Sequence, residues 1–155
     1  MRPLISTALL ALALSAAACG PKVDLATPPG FAVLDKQQEY AYRAASADGV
    51  VLAVRAEKND PAGNLDFWAD ALSQKLLAGG YSLDGEPREV RTRRGVPGRQ
   101  VRFGREHQGR PQRLWITVFV TPSHVFVAEA GGDAERFKGK AEAAVQKAIE
   151  SLAVD

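Results

Sequence analysis

The chain has 155 residues, 46% of them hydrophobic and 25% charged, with a formal net charge of +2 and a single cysteine. One thiol excludes an internal disulfide framework and any paired-cysteine metal site, so a core must hold the fold. The length suits one domain and not two.

The first nineteen residues read MRPLISTALLALALSAAAC. Arg2 supplies a short basic region, Leu4 to Leu14 is almost wholly apolar, and three alanines precede Cys19, the tripartite pattern of a secretory leader. The apolar run falls short of the roughly 20 residues a membrane span needs, so removal is expected. Two cleavage readings compete. Ala16 and Ala18 satisfy the small-x-small rule of ordinary signal cleavage, whereas small residues directly before a cysteine resemble the lipobox of bacterial lipoproteins. The lipoprotein reading is preferred because the chain's one cysteine falls at the cleavage point. It departs from the pattern at Ala16, where that family more often has leucine. It makes residues 1–18 a signal peptide and Cys19 the lipidated N-terminus. Gly20 stands where an aspartate would mark inner-membrane retention, and by this resemblance the outer membrane, facing the periplasm, is expected. Loss of Arg2 with the leader lowers the net charge from +2 to +1.

Residues 19–30, with Pro21, Pro28 and Pro29, lack periodicity and read as a flexible lipidated tether. A single domain is expected over 31–155. Strands are expected at 38–46 and 50–57, joined through Asp48-Gly49, a hairpin signal because both residues tolerate positive φ. Asn64 is placed to cap a helix in which Leu65, Trp68, Leu72 and Leu76 recur at three and four and which Gly79 and Gly80 end. Four more strands, at 88–93, 98–105, 112–121 and 124–130, have joints short enough for an antiparallel meander. Leu114 to Val120 is apolar at both parities, which places it at the sheet centre with cover on both faces. A second helix is expected from Asp133 to Leu152, with Asp133 as cap, Glu135 at its positive end, and Phe137, Ala141, Ala144, Val145, Ala148 and Leu152 as its apolar face.

This order, a Pro-rich entry through "PPGFAV", a strand pair, a helix closing on "GGY", a meander and a terminal "FKGKAEAAVQKAIESL", resembles the PsbP-like (DcrB-like) fold over about residues 28–152. The resemblance implies an α+β domain, an antiparallel sheet of about six strands flanked by two helices, that binds or assembles without catalysis. It is one of layout, with no signature motif, and carries over no functional residue. A cystatin-like fold is the alternative.

Chemistry is sparse. His107 and His124 both fall at turns and in no nucleophile motif, and a cryptic hydrolase built around them is the least supported reading. No cofactor or metal site is expected: His-x-x-x-His and calcium-loop spacings are missing, and Asp66 and Asp70, four apart on a helix, read as a solvated face. Trp68 and Trp115 belong to apolar patterns and are assigned to the core.

The outstanding feature is basic. Nine of thirteen arginines lie in residues 88–113, which hold only Glu89 and Glu106 as acids. Alternation in "REVRTRR" puts Arg91 and Arg93 on one face and Val90 and Thr92 on the other. Arg91, Arg93, Arg99 and Arg102 are therefore candidates for an anion-binding sheet face, since guanidinium forks hold phosphate or carboxylate bidentately. A solvated meander whose arginine stems cover apolar surface is the competing reading. The expected function is a lipid-anchored, non-catalytic envelope accessory protein whose partner is an envelope protein or polyanion; nucleic acid is not expected for an exported lipoprotein.

Overall fold

The computed structural model describes residues 21–35 and 39–154. The leader and Cys19 lie outside them. Ten strands and two helices follow in the order β1 (Val23–Asp24), β2 (Phe31–Val33), β3 (Tyr42–Ser46), β4 (Val51–Lys58), α1 (Leu65–Ala78), β5 (Ser82–Leu83), β6 (Arg88–Arg91), β7 (Pro97–His107), β8 (Arg110–Val120), β9 (His124–Asp133), α2 (Lys140–Glu150) and β10 (Ala153–Val154).

Eight strands form one antiparallel sheet in the order β2-β3-β4-β9-β8-β7-β5, with β6 also paired to β7; β1 and β10 make a separate two-stranded ladder. The expected sheet of about six strands thus has eight, the additions being the short β2 and β5, and among the described residues β1 and β10 add a separate pair. The β6 to β9 meander and the β3–β4 hairpin form as the sequence predicts, although β3 begins at Tyr42 and not at 38, a position outside the described residues. Gly49 supplies φ +82° at the β3–β4 turn, and Gln108 and Gly109, both at positive φ, close the β7–β8 turn.

Residues Trp115 to Phe119 of β8 are all buried, and the two helices cover opposite faces of the sheet. Asn64 Oδ1 accepts the Phe67 N–H and starts α1, whose Leu65, Trp68, Ala69, Leu72 and Leu76 pack on Val101, Phe103, Ile116, Val118 and Val127. On the other face, Val145, Ala148 and Ile149 of α2 meet Leu52, Val54, Trp115, Phe119 and Phe126. Each such side chain withdrawn from water contributes about 1.5–3 kcal/mol.

Helix α2 begins at Lys140, seven residues after the expected start. Asp133 does act as a cap, but of a turn: Oδ1 accepts from the Glu135 N–H at 2.9 Å, and its carbonyl accepts from Phe137 at 2.8 Å. Asp133 itself pairs with Gln112 and ends β9, while Gly139 at φ +59° resets the backbone before the helix. Glu135 therefore lies outside the helix, ion-paired with Lys138.

The tether reading is corrected for the described part of residues 19–30. Val23 pairs with Val154 and Asp24 with Ala153, Leu25 packs on the α2-side core, and the Ala26 N–H donates to Ser151 Oγ at 2.9 Å. Tyr42 Oη donates to Thr27 Oγ1 at 3.1 Å, and burial raises the Tyr42 pKa above its ordinary 10.0 despite that bond. Because the folded pKa is the higher one, this group's contribution is fully present below the unfolded pKa and is lost as pH rises through the folded value. Tyr42→Phe is therefore expected to flatten the fall in melting temperature above pH 10, measured by thermal scans across that range. An unchanged slope would show that Tyr42 does not govern it.

Candidate functional site

The arginine-rich segment does not form one basic face. Alternation through β6 holds, with Val90 and Thr92 buried and Arg91 and Arg93 exposed. Beyond that the four candidates separate. Arg91 Nη1 donates to the Gly95 carbonyl at 3.2 Å and Arg93 Nη2 lies 3.1 Å from Asp24 Oδ2. Arg99 points to the α1 side, 2.7 Å from Asp66, so Asp66 is an ion-pair partner and not merely solvated surface.

Arg102 points to the α2 side, where it is a structural clamp. Its guanidinium lies 3.9 Å over the Trp115 ring, Nη1 donates to Glu142 Oε1 at 3.2 Å, and Nε donates to Gln100 Oε1 at 3.2 Å. Gln100 Nε2 in turn donates to Thr117 Oγ1 and Gln146 Oε1. This partly buried network fixes α2 on β7. Burial is the leading cause that lowers the Arg102 pKa, with Arg88 adding to it and Glu142 opposing.

The open part of the molecule lies on the α1 side. Helix α1 packs on β7 and β8, and its C-terminus at Gly79 leaves the β3, β4 and upper β9 portion of that face without a helix. Register puts Arg43, Ala53 and Glu129 in one row across β3, β4 and β9, and Val51, Gly131 and Leu114 in the next. Together with Tyr40, Tyr81, Arg105 and His107 they line a concavity of about 620 Å³.

Its floor is apolar where Val51, Ala53 and Leu114 meet. Gly131 keeps that floor flat: a Cβ there would stand 2.9 Å from the Arg113 carbonyl oxygen. Its walls are cationic. The Arg43 guanidinium lies 5.4 Å from the Tyr40 ring centre and that of Arg105 4.6 Å from Tyr81. Stacking restrains a guanidinium, and a guanidinium fork can hold a phosphate or carboxylate bidentately. Glu129, the carboxylate in the bowl, is ion-paired with Arg55.

His107 is thus at a candidate site, while His124 begins β9 at the opposite end of the sheet, its Nδ1 2.9 Å from Ser123 Oγ. Trp68 and Trp115 are in the two core layers as expected. Among the described residues no group of three or more His, Cys, Asp or Glu side chains is arranged to hold a metal. Arg43, Tyr40 and Tyr81 were not singled out by sequence reasoning. The faint signal was a tyrosine three residues before Arg43 and another directly after the helix-ending glycines.

No family model matches the chain, and no curated protein sequence matches it significantly. Solved structures do. The fold is PsbP-like. A cyanobacterial PsbP (CyanoP) from Synechocystis aligns at TM-score 0.53 and 10% identity, covering 99% of this chain and 100% of its own. LpqN of Mycobacterium tuberculosis, a protein involved in cell envelope biogenesis, aligns at TM-score 0.69 and 16% identity over 87% of this chain and 84% of its own. A Pseudomonas aeruginosa protein of unknown function, PA94, described as a putative regulator, aligns at TM-score 0.51 and 13% identity over 89% and 86%. A cell-envelope protein is therefore among the chain's structural neighbours.

Proposed function

We propose that this chain is a non-catalytic binding or assembly accessory protein of the bacterial cell envelope. It is tethered through acyl chains on Cys19 at the periplasmic side of the outer membrane, and it binds its partner in the α1-side concavity. The observation that carries the binding reading is the pair of tyrosine-backed guanidiniums, Arg43 and Arg105, around an apolar floor. Such a site selects a phosphate or carboxylate group next to apolar surface. Of the four anion-site candidates from the sequence, Arg93, Arg99 and Arg102 pair with this chain's own carboxylates, and the bowl is a second place where guanidiniums gather. The envelope setting is supported by the leader ending at Cys19 and by the likeness to an envelope biogenesis protein.

The test is photocrosslinking in living cells with a photoreactive residue in place of Gln112, which lines the bowl, or of Asp70, which is exposed on α1. A discrete adduct is expected from position 112 and none from 70. It should disappear in the Arg43→Glu, Arg105→Glu double variant, with Cys19 still acylated. Adducts from both positions, or an adduct indifferent to the two charge reversals, would defeat the assignment.

A further inference from the structure

Cys19 stands four residues before Val23, and Val23 is already fixed against Val154. Even fully extended, four residues reach only about 14 Å. An acyl group on Cys19 therefore holds the β1–β10 end of the domain at the bilayer surface.

That end is basic. Asp24 is held by Arg93, and the Arg93 N–H donates to the Leu152 carbonyl at 3.0 Å, so the chain joins the body beside the turn at residues 91–95. The joining segment and the turn carry Lys22, Arg91, Arg93 and Arg94 with the carboxylate of Asp24, and Asp155 follows Val154 in the sequence, an excess of two positive charges. All four cations are exposed.

The turn is also firmly built. Thr92 is buried, Thr92 Oγ1 accepts from the Val96 N–H at 3.0 Å, the Gly95 N–H returns to the Thr92 carbonyl at 2.9 Å, and Gly95 takes φ +81°. Its charges are presented from a fixed scaffold.

We infer that this turn rests on the anionic headgroup layer of the membrane that holds the acyl chains and so sets the domain in one orientation. The inference rests on the acyl tether proposed above. One lipid attachment combined with a polybasic patch is a two-signal arrangement, in which each cation near an anionic leaflet strengthens contact by about five-fold. Strand β7 leaves the turn at Pro97 and ends at His107 in the wall of the concavity, and eleven residues of strand span about 35 Å. The bowl is therefore held away from the bilayer and meets a partner that reaches it from the aqueous side.

The experiment uses the acylated full-length protein in vesicles of phosphatidylglycerol and phosphatidylethanolamine, with a nitroxide on a cysteine introduced at position 94 or 107. Power saturation against a water-soluble nickel chelate reads the depth of each label, and a mass spectrum of the same sample reads the state of Cys19. The label at 94 is expected to be several-fold less accessible than that at 107. The difference should vanish in phosphatidylcholine vesicles and at about 1 M salt, where the screening length falls to about 3 Å. It should vanish also in the Arg91→Ser, Arg93→Ser variant. Equal accessibility in anionic vesicles, or shielding at 94 that ignores lipid charge and salt, overturns the inference. If Cys19 is acylated in that sample, the tether survives; an unmodified thiol removes both.

Discussion

Trp115→Ala is expected to lower the unfolding free energy by about 3–5 kcal/mol, a large share of the 5–15 kcal/mol typical of a domain. Trp115 is 1% exposed, with the Arg102 guanidinium 3.9 Å over one side of its ring and the Phe137 ring 4.7 Å away. Removing the indole leaves a cavity, and it also takes from Arg102 the aromatic face on which its charge is buried. Phe137 anchors the turn that leads into α2, so the loss extends to the seating of that helix. Urea titration should show a lower midpoint with an unchanged slope. Leu83→Ala, at a side chain 54% exposed, is expected to stay within about 0.5 kcal/mol. A Trp115→Ala cost below about 1 kcal/mol would mean that the α2 layer is not what holds the sheet.

Cys19→Ser is expected to move nearly all of the protein from the membrane pellet to the soluble fraction of the envelope. Two or three acyl chains bury dozens of methylenes at about 0.8 kcal/mol each, which no cluster of exposed arginines matches at physiological salt. The serine variant keeps Ala16 and Ala18, so ordinary signal cleavage after Ala18 remains open to it and would release a soluble domain. Fractionation together with the intact mass of each form checks this. A serine variant that is processed yet still pellets would show that attachment does not depend on the lipid.

What could be read in advance was whatever short-range pattern determines. Asn64 caps α1 because its carboxamide needs only the next helical turn, and Asp48-Gly49 turns the β3–β4 hairpin because only local φ matters there. The run Leu114 to Val120, apolar at both parities around Thr117, announced a strand covered on both faces. Asp133 misled for the same physical reason that Asn64 did not: a side-chain oxygen accepting a backbone N–H starts a helix or an isolated turn equally well, and the extended pairing of Gly132 and Asp133 with β8 chose the turn.

The candidate site depended on distant partners. Nothing near Arg99 or Arg102 tells that Asp66 and Glu142 will reach them from two different helices. Nor does any local pattern reveal that α1 stops short of β3 and β4, which is what opens the bowl. The ladder between Val23 and Val154 joins residues more than a hundred positions apart and two at a time, too little sequence to carry a periodic signature.

That small ladder has a practical consequence. Because it brings the two ends of the folded body together, a short peptide linker could close them and new ends could be cut at the Gln108-Gly109 hairpin tip, yielding a circular permutant. An anchor grafted at the new N-terminus would hold the hairpin end of the sheet, with the bowl beside it, toward the lipid.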